Sequence, residues 1–175
     1  VGSEMCIRDS NYSVPLDKWN LTDQACDYVF VGDNTIDFQI PGTLGLIYNA
    51  SAWNALKDKT RSYPLFSFDE FIKATNKSDS LNFISITINE LLSISNSQIH
   101  KFPNCIFVFE TSNEHGMAEQ RRMFVDLIQN KKDIPIIVKR NYSNLSEEKF
   151  QLHASTDFGA LLLDGFGNGI KILFQ

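Results

Sequence analysis

The chain of 175 residues is 43% hydrophobic, which supplies one sizeable core and leaves too little length for two full domains. Its formal charge of −5 comes from 16 basic and 21 acidic residues without a long run of either sign. No basic face is therefore predicted to bind nucleic acid or an anionic membrane. The apolar runs are far shorter than the roughly 20 residues that cross a bilayer, and we expect a soluble, cytoplasmic protein.

The first ten residues, VGSEMCIRDS, resemble the translated read-through of a sequencing-library adapter and do not continue the pattern that follows. We exclude residues 1–10 from the fold prediction and assign residues 11–175 to one domain-sized segment. Cys6, Cys26 and Cys105 are scattered without any CxxC spacing, so the sequence predicts reduced thiols and no metal cage.

Short β-rich runs alternate with helical stretches in the first half. Two strands are predicted from branched and aromatic runs bounded by turn residues, 27–31 and 44–48, and residues 64–68 are expected to be extended. A short helix over 51–59 would be capped by Ser51, and a second over 69–76 by Ser67 or Asp69. In the second helix, Phe68, Phe71 and Ile72 are expected to share one buried face.

The second half repeats the alternation more clearly. Its predicted strands are 81–88, 105–110, 134–140, 159–165 and 169–174. Its predicted helices are 89–95 with Asn89 as cap, 117–130, and a helix over 143–156 that starts at Asn144 or Ser146. On the helix 117–130, apolar side chains are expected on the buried side and charged ones in water: Met117, Phe124, Leu127 and Ile128 against Glu119, Arg121, Arg122 and Asp126.

This alternation predicts an α/β fold built from βα units with a mainly parallel sheet. The run CIFVFE is nearly all apolar and needs cover on both faces, which is typical of parallel sheets. Four successive units that end in two closely spaced strands favour a partial TIM-barrel-like arrangement over a sandwich. Cys105, which opens the apolar run, is expected to be a small core residue.

The stretch LLLDGFGNGI, residues 161–170, places an acid and three glycines after an apolar run. Its G-x-G-x-G spacing differs from the dinucleotide fingerprint, and no helix pattern follows to offer its N-terminus to a pyrophosphate. A P-loop is excluded because no Gly-Lys-Ser/Thr closes the stretch. A glycine-permitted turn between two strands is therefore favoured over a phosphate cradle.

His115 lies just after a predicted strand end, where the βα loops of barrels carry catalysis. With Glu110 and Glu114 it could form a proton-transfer site or a weak metal site, although such residues are common in polar loops. His100 and His153 have no partner that the sequence reveals.

Two further features have a packing or solvation explanation. The 14 Phe residues fall on predicted strand interiors and helix core faces, so they need no stacked base. The mild basic cluster is expected to be solvated and to favour the C-terminal end of its helix: Arg121, Arg122, Lys131 and Lys132.

Residues 104–170, from NCIFVFETSNEHGMAEQRRMF through IPIIVKRNYSNLSEEKF to DFGALLLDGFGNGI, resemble a known family. It is the large, three-domain form of 4-hydroxy-3-methylbut-2-enyl diphosphate synthase (flavodoxin/ferredoxin dependent), as found in plants and Bacteroidetes-type bacteria. Residues 27–102 fit less specifically, through the order of elements and segments such as YPLFSFDEF and ISITINELL.

The resemblance implies a TIM barrel that binds the cyclic diphosphate substrate, an inserted barrel-like domain, and a domain that holds a [4Fe-4S] cluster on three Cys and one Glu. This chain resembles the later portion of the inserted domain. The cysteine motif of the cluster and the arginine-bearing strands of the substrate barrel have no counterpart in it.

In that family the catalytic barrel ends in an acid-Gly-x-Gly-Asp turn and an Arg-x-Ser segment that helps to hold the substrate phosphates. Here the turn ends in Asn168 in place of the Asp, Lys171 stands in place of the Arg, and Leu173 in place of the Ser. An apolar side chain replaces a hydroxyl donor, and Lys offers a point charge in place of a bidentate fork. The resemblance therefore implies a turn that kept its backbone geometry and lost its ligand contacts, and the final ILFQ departs from the family as well.

Three hypotheses follow. In the first, the segment is a structural spacer in an enzyme that reductively converts 2-C-methyl-D-erythritol 2,4-cyclodiphosphate to 4-hydroxy-3-methylbut-2-enyl diphosphate in non-mevalonate isoprenoid synthesis. Its partners would be the substrate-barrel and cluster domains of the same chain, with ferredoxin or flavodoxin as electron donor, and the segment itself would hold no catalytic, cofactor-binding or metal-binding residue. In the second, a free-standing βα domain binds a phosphorylated small molecule near Asp164 to Lys171. In the third, a TIM-barrel hydrolase fragment uses His115 with Glu110 or Glu114.

Overall fold

A computed structural model of the chain describes residues 11–13, 18–20, 25–38, 40–114 and 116–174, and the chain divides into two units, Val1–Leu65 and Phe66–Gln175. The adapter-like segment 1–10, including Cys6, lies outside the described residues, as does the last residue of ILFQ. In both units, parallel strands alternate with helices. The predicted α/β class, with its barrel-like βα repeat of mainly parallel strands, is confirmed.

The first unit contains an antiparallel pair and a parallel set of strands. The pair is β1 (Asn11–Ser13) with β2 (Lys18–Asn20). The parallel set is β3 (Tyr28–Gly32), β4 (Gly45–Asn49) and β5 (Ser62–Ser67), and helix α1 (Ala50–Ala55) lies between β4 and β5. The last two residues of β5 fall in the second unit.

The core of the first unit is small and is centred on one indole ring. Val31, Leu46, Tyr48 and Trp53 form a buried cluster. The Trp53 Nε1 donates a hydrogen bond to the Ser62 carbonyl at 2.9 Å, which ties α1 to β5. Ser51 is not the cap that the sequence predicted, because Asn49 occupies the N-cap position and the helix begins at Ala50. The helix also stops early, and the Asp58 carboxylate accepts from the Thr60 N–H at 2.9 Å in the turn that follows.

The second unit holds four parallel strands in the order β6-β7-β8-β9. These are β6 (Asn82–Ile86), β7 (Cys105–Glu110), β8 (Ile136–Tyr142) and β9 (Gly169–Phe174). The helices are α2 (Phe68–Lys73), α3 (Ile88–Ser93), a 3₁₀ helix (Asn96–Lys101), α4 (Gly116–Gln129) and α5 (Glu147–Leu163). Buried side chains of the strands and helices form the core: Phe83, Ile84, Phe107, Phe109, Met123, Val138, Phe158 and Leu161.

Side chains at the helix starts confirm some predicted caps and correct one. Ser67 caps α2 in a capping box, since its backbone N–H donates to the Glu70 carboxylate at 2.8 Å and its Oγ accepts from the Glu70 N–H. Ser146 caps α5. Helix α3 begins at Ile88, one residue before the predicted start. Its N-cap is Thr87, not Asn89, and the Thr87 N–H and hydroxyl donate to the Glu90 carboxylate at 2.7 Å.

Two predicted core positions lie in water instead. Ile72 on α2 is 58% exposed, and Ile128 on α4 is 63% exposed. On α4 the buried stripe runs through Gln120, Met123, Phe124 and Leu127, so Ile128 falls one position beyond it.

The strand predicted over 159–165 is wrong. Helix α5 continues to Leu163, with Phe158 and Leu161 buried three residues apart on one side and Leu163 90% exposed. A run of four apolar residues cannot by itself distinguish a strand from a half-buried helix, and here the helical period decides. The glycine stretch therefore joins a helix to a strand and does not join two strands.

Candidate functional site

An open cleft of ≈590 Å³ lies at the carboxyl ends of β6, β7 and β8, the edge at which parallel βα proteins carry their ligands. Loop residues dominate its lining, which is rich in hydroxyl and amide groups: Thr87, Glu110, Thr111, Ser112, Asn113, Glu114, Arg140, Asn141, Tyr142, Ser143, Leu145 and His153. Its position makes it the candidate functional site of the second unit.

Arg140 on β8 contributes a guanidinium to the cleft lining, and the N–H groups of this guanidinium donate hydrogen bonds to other groups of the protein. The Nε donates to the Asp157 carboxylate at 2.9 Å, and the two side chains are only 11% and 12% exposed. The Nη1 donates to the backbone carbonyls of Asn113 at 2.9 Å and of Thr111 at 3.4 Å, and the Nη2 to that of Glu114 at 3.5 Å. Arg140 therefore fixes the loop after β7 to strand β8.

Tyr142, two residues along the same face of β8, completes this cluster. Its hydroxyl donates to the same Asp157 oxygen at 2.7 Å. Burial raises the pKa of the Tyr142 hydroxyl, and the Asp157 carboxylate raises it further, so the phenol stays protonated. One carboxylate on α5 thus accepts from two side chains of β8, and we call Arg140, Tyr142 and Asp157 the Arg140 cluster.

Helix α4 begins directly against this cluster. A Cβ atom at Gly116, the first residue of α4, would overlap the Arg140 guanidinium. The Thr111 hydroxyl donates to the Glu119 carboxylate and accepts from the Asn113 N–H at 3.0 Å. Gly116 therefore has a packing role, since it lets the helix start close to the guanidinium.

A row of charged side chains crosses the other face of the same strands. The register places Glu110 opposite Lys139 and Lys139 opposite Lys171. Because side chains alternate along a strand, Lys139 points away from the face on which Arg140 meets α5. The Lys139 Nζ forms an ion pair with the Glu110 carboxylate. Burial lowers the pKa of Lys171 to about 8, with a further decrease from Lys139 that Glu110 opposes.

The predicted site around His115 is not assembled from the residues that can be described. His115 itself lies outside the described residues. Of its proposed partners, Glu110 is paired with Lys139, and Glu114 contributes its backbone carbonyl to Arg140. His153 is exposed on α5 and lines the cleft, while the side chain of His100 is not described.

The turn from Asp164 to Asn168 lies at the opposite, amino-terminal edge of the strands. Gly165 adopts φ +74°, and the N–H groups of Gly165 and Phe166 donate to the carbonyls of Leu162 and Leu161, which closes α5 as a Schellman motif. Asn168 exchanges two hydrogen bonds with the backbone of Ile136, at 2.8 and 2.9 Å. Asp164 pairs with Arg121. The turn thus ends a helix, with its polar groups engaged by the protein.

The described residues contain no group of three or more His, Cys, Asp or Glu side chains that could hold a metal ion. Cys105 is buried at the start of β7, as predicted, and burial raises the pKa of its thiol to about 11. Cys26 is exposed in the first unit. None of the described helices combines the length and apolar character needed to cross a membrane.

Sequence reasoning missed the Arg140 cluster, although one signal was available. Asp157 interrupts the buried face of α5 between Ala154 and Phe158, and a carboxylate on such a face requires a cationic or donor partner. The partner could not be identified from the sequence, because 17 residues separate Arg140 from Asp157.

The chain is similar to curated proteins that carry the name 4-hydroxy-3-methylbut-2-en-1-yl diphosphate synthase (flavodoxin). It is 27% identical over 146 residues to the protein of Parabacteroides distasonis, and the matched segment covers 83% of this chain and 23% of the relative. The protein of Phocaeicola vulgatus is 23% identical over 149 residues, or 85% of this chain and 24% of the relative. The protein of Porphyromonas gingivalis is 32% identical over 94 residues, or 54% of this chain and 16% of the relative.

The resemblance predicted from the residues is confirmed by these relatives, which share one name. The chain spans about a quarter of the length of the first two, which is consistent with a fragment of a longer protein. No protein-family model matches the chain, and no solved structure matches it.

Proposed function

We propose that this chain is a scaffold segment of a 4-hydroxy-3-methylbut-2-enyl diphosphate synthase, part of its inserted barrel-like domain, without an active site of its own. The intact enzyme would reductively open 2-C-methyl-D-erythritol 2,4-cyclodiphosphate with electrons from flavodoxin or ferredoxin. This segment would set the distance between the substrate barrel and the cluster domain. Rigid positioning of distant groups contributes to catalysis even when no residue of the spacer touches the substrate.

The observation that carries the proposal is that the guanidinium of Arg140 donates its hydrogen bonds to groups of the protein itself. A phosphate site at the carboxyl edge of the strands needs a guanidinium or ammonium that faces the ligand. Arg140 faces Asp157 and three backbone carbonyls instead. Its charge therefore fixes a loop and a helix to the sheet, which is the role expected of a rigid scaffold.

The glycine turn supports the same proposal. An anion binds well where backbone N–H groups converge at the start of a helix, whereas Asp164 to Asn168 follow the end of α5, where carbonyl groups point outward. Lys171 lies within β9, beyond the turn, and its neighbours in the row are Lys139 and Glu110. The alternative function, binding of a phosphorylated small molecule near Asp164 to Lys171, gains no support from this arrangement.

Calorimetric titration of the 175-residue chain with the cyclic diphosphate tests the scaffold role. We expect no binding stronger than millimolar, for the chain and for the matched variant Lys171→Met alike. Micromolar binding that Lys171→Met removes would replace the scaffold with the phosphate-binding alternative. Anaerobic incubation with iron and sulfide is the companion test, and a stable [4Fe-4S] absorption spectrum would contradict the absence of a cofactor site.

Membership of a longer enzyme has a separate test in the genome. Sequence extended in both directions from this gene should continue into a substrate barrel on the amino-terminal side and a Cys-x-x-Cys motif on the carboxyl-terminal side. A start codon and a stop codon that bound this segment closely would contradict the assignment.

A further inference from the structure

The charged row on β7, β8 and β9 places two lysines beside each other and gives them one carboxylate. Glu110, Lys139 and Lys171 are register neighbours on consecutive parallel strands. Such strands lie about 4.8 Å apart, so side chains in register on one face contact each other. Lys139 therefore lies between a carboxylate on one side and a second lysine on the other.

The two lysines differ in what surrounds them. Lys139 forms an ion pair with the Glu110 carboxylate. Lys171 is half-buried on β9, and its pKa falls to about 8, first because of burial and then because of the neighbouring Lys139 charge; the more distant Glu110 opposes this. A lysine next to another cation and partly removed from water is the environment in which the amine loses its proton near neutral pH and becomes a nucleophile.

We propose that Lys171 is a covalent-modification site, a nucleophilic amine that condenses with small aldehydes or ketones. The amine lone pair attacks the carbonyl carbon, a C–N bond forms, and the carbonyl oxygen leaves as water with the two amine hydrogens. The product is an imine, and no electrons are gained or lost. The inference is independent of the scaffold role, because it concerns the reactivity of one side chain and requires no turnover.

Competitive labelling of the whole chain with limiting propanal and sodium cyanoborohydride tests the proposal, with each lysine quantified by peptide mass spectrometry. Lys149, exposed on α5, is the internal reference. At pH 7.5 a pKa of about 8 leaves roughly a quarter of the Lys171 side chains neutral, compared with ~0.1% for an ordinary lysine. The lower basicity of the Lys171 amine and its partial burial reduce its reactivity and offset part of this increase in the neutral form. We expect Lys171 to label about tenfold faster than Lys149, with a rate that is half-maximal near pH 8.

The variant Lys139→Met separates the effect of the neighbouring charge from that of burial. Without Lys139 the Glu110 carboxylate faces Lys171 alone, so the labelling rate of Lys171 should fall several-fold toward that of Lys149. The matched variant Lys149→Met, which removes a remote exposed lysine, should leave the Lys171 rate unchanged. Circular dichroism checks that both variants fold.

Two results would overturn the proposal: labelling of Lys171 no faster than Lys149 in the unsubstituted chain, or an unchanged Lys171 rate in folded Lys139→Met. Should Lys139→Met fail to fold, the pH profile of the unsubstituted chain decides alone. A half-maximal rate above pH 10 for Lys171 would then refute the proposal, and one near pH 8 would support it.

Discussion

Replacement of Arg140 by Met tests whether the Arg140 cluster holds the second unit together. The substitution keeps most of the side-chain length and removes the charge that faces Asp157. Because the two side chains are 11% and 12% exposed, the Asp157 carboxylate would be left buried with the Tyr142 hydroxyl as its remaining side-chain donor in the cluster. Loss of one partner from a buried ion pair costs about 3–5 kcal/mol, and the slight exposure places this case near ~3 kcal/mol.

The free energy of unfolding, measured in urea by far-UV circular dichroism at neutral pH, gives this cost directly. Arg121→Met is the matched control, because Arg121 also pairs with a carboxylate but the two side chains are 44% and 36% exposed. Such exposed pairs contribute about 0–1 kcal/mol. If Arg140→Met destabilises the chain no more than Arg121→Met does, the cluster is not the anchor described here.

Three further predictions concern single positions. Gly116→Ala should destabilise the chain by about 1–3 kcal/mol, because the added Cβ overlaps the Arg140 guanidinium. Gly159→Ala within α5 should stabilise the chain by about 0.5–1 kcal/mol, because the added Cβ meets open space and alanine favours the helix. Urea unfolding of both variants checks that the two changes in the free energy of unfolding have opposite signs. Iodoacetamide at pH 8 should alkylate the exposed Cys26 and spare the buried Cys105, whose thiol has a pKa of about 11; equal rates in peptide mass spectrometry would contradict the burial. Lys171→Met should stabilise the chain below pH 8, where the folded state must hold a half-buried ammonium. That gain should disappear as the pH rises from about 8 to the ordinary lysine value of 10.5; a gain independent of pH would show that the charge is not its cause.

The elements that could be predicted are those whose signals are local. The strand Cys105–Glu110 matches its prediction at both ends, because a six-residue apolar run with β-branched and aromatic side chains has few other solutions. Helix α4 was predicted within one residue from its 3.6-residue period. Ser67 was recognised as a cap because Glu70 follows it at the spacing of a capping box.

The errors arose where two local patterns compete. The sequence ALLL before Asp164 fits a short strand as well as the last turn of a helix, and the burial of Phe158 and Leu161, three residues apart, identifies it as the end of α5. The caps at Ser51 and Asn89 were wrong for a related reason, since Asn49 and Thr87, each two residues earlier, also belong to the residue types that favour the N-cap.

The candidate site depends on register, which no local pattern contains. Lys139 meets Glu110 from 29 residues away, and Arg140 meets Asp157 from 17. A shift of one residue in the register of β8 would exchange the faces of Lys139 and Arg140, and would bring an ammonium to Asp157 and a guanidinium to Glu110. Both contacts could then be charge-balanced, so composition alone does not choose between the two registers.

The apolar neighbours of these charges choose the register. With Arg140 toward α5, Ile136 and Val138 lie on the same face and are each 1% exposed, and Tyr142 is 6% exposed. Burial of each such side chain contributes about 1.5–3 kcal/mol. Either register leaves both charged contacts with a partner, so the charged pairs do not distinguish the two registers and the apolar burial does. The hydrophobic face therefore sets which charge goes where, and adjacent residues receive unrelated roles. Arg140→Met should lower stability with little effect on Lys171 labelling, while Lys139→Met should do the reverse, and equal effects on both measurements would show that the two faces are coupled.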